Sequence, residues 1–245
     1  MQKETIFFKK NFLIYGFGKS GYASYKFLCK KNDCKIIDDN KKNIPSKYSH
    51  KTINHKQLKK NNFDYIVISP GIDVNKCNLS RYLKKNSSKV ITELDIFYLS
   101  YPNIKKITIT GTNGKSTTSK LLYDVLKEHR KDVRLTGNIG RPTLLEKGFK
   151  NSTIFVIEAS SYQLEYSKFF KSDYSIILNL SPDHLERHGT FENYIKAKFN
   201  LIKNQTKNNY AFIEKNNYLL NNLIKKNKIK SKIFRVNYEK YKKNY

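Results

Sequence analysis

Thr110-Gly-Thr-Asn-Gly-Lys-Ser-Thr117 places a lysine between a glycine and two hydroxyls. That arrangement suits a phosphate chain. Glycines let backbone N–H groups turn toward phosphate oxygens, Lys115 brings a point charge to the β/γ oxygens, and Ser116 or Thr117 offers a hydroxyl to Mg²⁺. The nucleotide is therefore expected along Gly111, Thr112, Asn113, Gly114, Lys115, Ser116 and Thr117. The strict P-loop spacing is not met, because Ile109 stands where its first glycine would be. The surroundings are still those such a loop needs: a strand, Lys106 to Thr110, before it and a helix, Lys115 to Arg130, after it.

Two further strand ends carry polar groups. Glu158 closes the apolar run TIFVIE and is followed by Ala-Ser160-Ser161-Tyr-Gln-Leu-Glu165. A carboxylate at the end of a buried strand, one βα unit past a phosphate loop, is placed to hold magnesium. Taken alone it would be read as an exposed strand end. The run Asn179-Leu-Ser-Pro-Asp-His184-Leu-Glu-Arg-His188-Gly189 holds two of the five histidines, beside Asp183 and Arg187. Clustering at a strand end favours a site. Lys198, in Tyr194-Ile-Lys-Ala-Lys198, is by spacing only one more lysine on a lysine-rich helix.

Nearer the start, Gly16-Phe-Gly18-Lys19-Ser20-Gly21 is a GxGxxG between a predicted strand and helix, with Asp38 and Asp39 at the end of the next strand. Such a loop admits a diphosphate to a helix N-terminus, and the acid accepts hydrogen bonds from sugar or base. The same pattern fits a nicotinamide dehydrogenase, or a tight turn with no ligand.

The elements that must position these loops follow from apolar runs. Asn11 to Tyr15, Cys34 to Asp38 and Asp64 to Ser69 read as strands, Tyr22 to Lys30 as a helix, and Val90 to Tyr98 as the segment closing a first unit. Ser100 to Asn103, with Pro102, reads as a linker. Thr153 to Glu158 and Ser175 to Asn179 are predicted buried strands, Phe191 to Asn204 a helix, and Asn209 to Glu214 and Lys232 to Asn237 two further strands. Continuous apolar strands alternating with helices predict parallel sheets covered on both faces. The fold class is therefore α/β: a Rossmann-like domain over residues 1–98, then an ATP-binding domain with a mostly parallel sheet over residues 104–245.

With 245 residues the chain is long enough for two such domains. Mean hydropathy is −0.67, yet aromatic residues reach 13%, enough to build a core. No apolar run approaches the roughly 20 residues that span a bilayer, and residues 1–10 do not read as a signal peptide. A cytoplasmic, non-membrane protein is expected. Cys29, Cys34 and Cys77 lack CxxC spacing and are expected to be reduced. The formal charge of +28 raises nucleic-acid binding. The lysines, however, are spread evenly and lack the aromatic-plus-basic spacing of known modules, so no nucleic-acid partner is expected.

In order, TGTNGKST at 110–117, GNIGRP at 137–142, EASSYQLE at 158–165, NLSPDHLERHG at 179–189 and YIKAK at 194–198 resemble the Mur ligase family, with GFGKSG at 16–21 and SPGI at 69–72 matching its first domain. The SSYQLE run and the GNIG loop resemble the members that add D-glutamate. The resemblance implies ATP-dependent addition of D-glutamate to UDP-N-acetylmuramoyl-L-alanine in peptidoglycan synthesis, with ATP and Mg²⁺ as cofactors. It implies that Gly18, Lys19, Ser20, Asp38 and Gly71 hold the UDP part, and that Asn138, Ser160 and Ser161 touch substrate, Asn138 near its acyl end. Lys115, Lys198, His184 and Asn138 would serve catalysis. Ser116, Glu158, His184 and a carbamylated Lys198 would serve the metal. Members of the family normally carry a third, C-terminal domain for the amino acid, which is therefore expected in the full-length protein. On that basis the 245-residue chain is expected to be inactive alone. A non-catalytic UDP-muramoyl-peptide and ATP binder, and a basic P-loop ATPase acting on nucleic acid, are the alternatives.

Overall fold

The computed structural model describes residues 6–237. Two compact units are present. Among the described residues the first comprises residues 6–102, Pro142–Leu145 and Tyr166–Lys168, and the second Asn103–Arg141, Glu146–Glu165 and residues 169–237.

The first unit runs β1 (Asn11–Tyr15), α1 (Lys19–Leu28), β2 (Asp33–Ile37), α2 (His55–Leu58), β3 (Tyr65–Ile68), α3 (Ser80–Lys85), β4 (Val90–Ile91) and α4 (Glu93–Ser100). Its four strands are parallel in the order β2-β1-β3-β4. Leu13, Tyr15, Ile37, Ile66, Ile68 and Leu83 pack on one core. Strand order reverses between β1 and β3, so a crevice opens at their C-terminal ends. The GFGKSG loop leaves β1 there, and Ser69, just past β3, donates its hydroxyl to the Gly16 carbonyl at 2.7 Å.

The segment Val90 to Tyr98 is not one element. Its strand stops at Ile91, and Thr92 caps a helix reciprocally with Asp95. The first turn of α4 buries two carboxylates. Glu93 accepts from Thr143 Oγ1 at 3.0 Å and from the Leu144 amide at 3.4 Å. Asp95 accepts from Ser167 Oγ at 2.9 Å and from the Lys168 amide at 3.0 Å. Each acid thus holds one of the two short segments that join this unit from later in the chain.

The second unit runs β5 (Lys105–Thr110), α5 (Lys115–Glu128), β6 (Val133–Gly137), β7 (Ile154–Glu158), α6 (Ser161–Glu165), β8 (Tyr174–Ile177), α7 (Leu185–His188), α8 (Phe191–Lys203), β9 (Tyr210–Glu214), α9 (Tyr218–Lys226) and β10 (Lys232–Val236). All six strands are parallel, in the order β10-β9-β8-β5-β7-β6. β6 and α9 were not foreseen from sequence. β5 lies centrally, between β7 and β8, so the loops after β5, β7 and β8 open on one rim. Among the described residues no helix is long and apolar enough to cross a membrane.

Candidate functional site

The Thr110–Thr117 loop joins β5 to α5. Gly114 sits at φ +79°, ψ 0° as the N-cap of α5, a left-handed conformation that a side chain disfavours. The loop is braced by the strand beside it. The Thr112 amide donates to the Asn179 carbonyl and the Asn113 amide to Asn179 Oδ1, both at 2.8 Å. Lys115 folds back so that Nζ lies 3.0 Å from the Gly111 carbonyl and 2.7 Å from that of Thr112. Its charge is therefore held inside the turn. Thr117 is exposed next to Ser116 in the first turn of α5.

Glu158, at the end of β7, is 1% exposed. Ser116 Oγ donates to its Oε2 and Asn138 Nδ2 to its Oε1, each at 2.7 Å. The structure thus brings together three of the sequence-predicted residues from three different loops. Gly137 permits this approach. Its φ is +104°, and a Cβ there would lie 2.2 Å from the Glu158 carbonyl oxygen, while the Asn138 amide donates to that same oxygen at 2.9 Å.

Lys198 is 1% exposed on α8. Nζ donates to the Gly111 carbonyl at 2.8 Å and to Thr110 Oγ1 at 3.3 Å. Burial lowers its pKa to about 7, with repulsion from Lys115 acting the same way and attraction from Asp183 and Glu158 opposing. The side chain that looked like one more surface lysine is buried under the phosphate loop. Its ammonium also lies 4.6 Å from the centre of the Tyr194 ring.

His184 begins α7 at φ +51°, a conformation few non-glycine residues adopt, and strain of this kind marks functional segments. Its ring lies between carboxylates, with Nε2 3.4 Å from Asp183 and Nδ1 3.6 Å from Glu186. Behind it, Arg187 donates twice to Glu165 Oε2, at 3.0 and 2.8 Å, and His188 Nε2 lies 3.0 Å from Ser161 Oγ. Burial pushes the pKa of His188 down. Ser161 is thus a buried partner of His188. Ser160 is half-buried, and its amide donates to Gln163 Oε1 at 3.0 Å. Among the described residues no group of three or more His, Cys, Asp or Glu side chains gathers as a metal cluster.

In the first unit, Phe17, Gly18, Lys19, Tyr22, Asn43 and Pro45 line a cavity of about 380 Å³. Asp38 closes its loop from below, accepting from the amides of Phe17 at 2.6 Å and Asn40 at 2.8 Å, and from Asn43 Nδ2 at 3.1 Å. Its carboxylate is occupied in shaping the loop. Burial pushes the pKa of Glu93 up, and the Ser20 hydroxyl is among the groups that act against it. Gly71 is exposed just past β3.

Sequence reasoning missed Tyr194, which is 1% exposed and meets Thr112 Oγ1 at 3.0 Å through its hydroxyl. It also missed Asn179 as the brace of the phosphate loop. A signal existed for both Tyr194 and Lys198. On α8 they fall at i and i+4 of the stripe that continues to Leu201, the buried face of the helix.

The family described as the Mur ligase middle domain matches residues 109–245, more than half of the chain. The chain is 34% identical over 217 residues, 87% of its length, to the UDP-N-acetylmuramoylalanine–D-glutamate ligase of Rickettsia bellii, of which it covers 48%. It is 36% identical over 232 residues to the protein of the same name from Caldicellulosiruptor saccharolyticus, covering 89% of this chain and 50% of that one. The chain thus spans about half the length of these curated relatives. A solved structure of UDP-N-acetylmuramate:L-alanyl-gamma-D-glutamyl-meso-diaminopimelate ligase from Neisseria meningitides shares the fold, with a TM-score of 0.57 at 14% identity over 93% of this chain and 78% of that one. The matched region starts on β5 and takes in the phosphate loop, Glu158, His184 and Lys198, and on that match the chain belongs to the Mur ligase family.

Proposed function

We propose that this chain supplies the ATP-binding and UDP-substrate-binding parts of an ADP-forming ligase. That enzyme adds D-glutamate to UDP-N-acetylmuramoyl-L-alanine during peptidoglycan precursor synthesis, and its nucleotide substrates place it in the cytoplasm. The observation that carries this reading is the trio Ser116–Glu158–Asn138 at the mouth of the Thr110–Thr117 loop. Relatives bearing the ligase name, matched over 87–89% of the chain, support this reading of the reaction.

A carboxylate is a poor electrophile. Its oxygen attacks the γ-phosphorus of ATP, ADP leaves, and an acyl phosphate forms. The amine of D-glutamate then attacks the acyl carbon, loses a proton, and expels inorganic phosphate. Such chemistry rests on positioning and on screening negative charge. Lys115 and the loop amides supply that screening, and no side-chain nucleophile is needed. The donor set of Ser116 hydroxyl and Glu158 carboxylate is all oxygen, which suits Mg²⁺. This ion takes one or two carboxylates and fills its remaining positions with phosphate oxygens and water. Bound there, Mg²⁺ would neutralise charge on the β- and γ-phosphates. His184 is proposed to serve a second such ion.

Lys198 is proposed to be carbamylated. With a pKa of about 7, a large fraction is neutral amine at physiological pH, the form that adds CO₂ and releases a proton. The product is an anionic group that would face the metal side of the loop.

Titration of the chain with ATP, with and without Mg²⁺, tests the first half of this reading, and titration with UDP-N-acetylmuramoyl-L-alanine tests the second. Saturable binding of both is expected, together with ADP release dependent on D-glutamate in the full-length protein. A chain that binds neither nucleotide would overturn the proposal.

A further inference from the structure

A loop that binds phosphate through backbone N–H groups faces a constraint. Amides aimed at a ligand cannot also hold the turn together, so the turn has to be shaped from outside. In the second unit the outside brace is the chain leaving β8.

β8 pairs with β5 as far as Ile177 and Thr110. The ladder does not stop where the strands do. The Leu178 amide donates to the Thr110 carbonyl at 2.9 Å, and the Thr112 amide to the Asn179 carbonyl at 2.8 Å. One residue further, the side chain of Asn179 takes over from its backbone. Its Oδ1 accepts from the Asn113 amide at 2.8 Å, and its Nδ2 donates to the Asn113 carbonyl at 3.1 Å. A carboxamide offers an acceptor and a donor in one plane, as a peptide unit does. Asn179 therefore adds one more rung, just before the left-handed Gly114. Ser181 makes the last joint. Its amide donates to Thr112 Oγ1 at 3.0 Å, and that hydroxyl lies 3.1 Å from the Ser181 carbonyl.

The loop amides are thereby divided. Those of Thr112 and Asn113 are taken by Asn179. Those of Gly114, Lys115, Ser116 and Thr117 open α5, where a helix leaves its first four N–H groups without an intrahelical partner. These are the ones able to meet an anion. The Asn113 carbonyl, held by Nδ2, is kept from swinging toward phosphate oxygens that it would repel. The run that provides the brace leads directly to His184.

We propose that Asn179 is a positioning residue of the phosphate loop. Its carboxamide presets the Asn113–Gly114 turn for a triphosphate and ties that turn to the run carrying His184. This rests on the ATP-binding role proposed above. Other side chains fail for definite reasons: Leu has the bulk without the polar atoms, Asp would turn an oxygen toward the Asn113 carbonyl, and Gln carries its amide one methylene too far.

The test compares the 245-residue chain with its Asn179→Leu and Asn179→Ala variants. Calorimetric titration with ATP and Mg²⁺ should show affinity about tenfold lower in both, because two hydrogen bonds are lost. Without nucleotide, amide hydrogen exchange should quicken at residues 112–118 and 181–188 together, and saturating ATP should restore protection at both. Circular dichroism checks folding, and Asn179→Ala decides if the leucine variant does not fold. Wild-type affinity in Asn179→Leu would mean that the side chain only fills space, and would overturn the proposal. So would exchange that quickens throughout the second unit, the mark of a general structural loss. A wild-type chain that binds no ATP overturns the proposed function as well, whereas intact binding that the substitutions leave unchanged overturns this inference alone.

Discussion

Tyr194 touches the phosphate loop with its hydroxyl, 3.0 Å from Thr112 Oγ1, and the Lys198 ammonium with its ring, 4.6 Å from the centroid. One side chain therefore fixes two parts of the proposed ATP site. Tyr194→Phe keeps the ring and removes one hydrogen bond, which stabilises by about 1 kcal/mol. ATP affinity should fall about fivefold, as RT ln 5 is about 1 kcal/mol. Tyr194→Leu removes the cation–π contact as well, about 0.5–2 kcal/mol more, and should weaken ATP further. Equal affinities for the two variants in a nucleotide titration would show that the ring has no part in the site.

Glu158 is satisfied from both sides by donors, Ser116 Oγ–H and Asn138 Nδ2–H. In Glu158→Gln the amide oxygen still accepts from Asn138 Nδ2 and the amide NH₂ donates to Ser116 Oγ, whose hydroxyl accepts as well as donates, so both contacts are kept. Only the negative charge is lost. The expected result is a split: Mg²⁺ no longer enhances ATP binding, while the weak metal-independent binding that rests on Lys115 persists. Retention of full Mg²⁺ enhancement would rule out Glu158 as the metal carboxylate.

The strands around the site were legible because apolar runs of five or six residues stand out against a lysine-rich background. β1, for example, is Asn11–Tyr15 as read from NFLIY. β6 was not legible. It is an edge strand in which Val133 and Leu135 alternate with Arg134 and Thr136, too few apolar positions to set it apart. In VITELDIFY, the Thr92–Asp95 capping pair carried the helix start, and the apolar run hid it. The segments Pro142–Leu145 and Tyr166–Lys168 join the first unit through contacts to Glu93 and Asp95 some 50 to 73 residues away in sequence. Local pattern carries no trace of such pairing. Lys198 could be assigned only by resemblance, although its helical phase already placed it inside.

Asp38 holds its loop through three donors, the Phe17 and Asn40 amides and Asn43 Nδ2. Asp38→Ala frees all three, two of them at the base of the cavity-lining loop. A loss of about 1–3 kcal/mol is expected in urea unfolding. Binding of the UDP substrate should be lost with it, while ATP binding in the second unit is unchanged. Wild-type stability together with selective loss of UDP-substrate binding would instead make Asp38 a direct ligand contact.

Lys106, the second residue of the central strand, is 1% exposed, with Nζ 2.6 Å from the Ile104 carbonyl. Burial lowers its pKa to about 8, against a raising influence from Asp173 and a further lowering one from Lys171. The folded chain therefore gives up this proton before the unfolded chain does, so between pH 8 and about 10.5 the unfolded state holds more protons. Stability from this group must rise with pH across that window and be lost again as pH falls to 8. The shift corresponds to about 3 kcal/mol. Lys106→Met has no such proton. The stability difference, wild type minus variant, should therefore grow in favour of wild type by about that amount from pH 8 to 10.5 in urea titrations. Parallel pH profiles for the two proteins would mean that Lys106 keeps its ordinary pKa inside the fold.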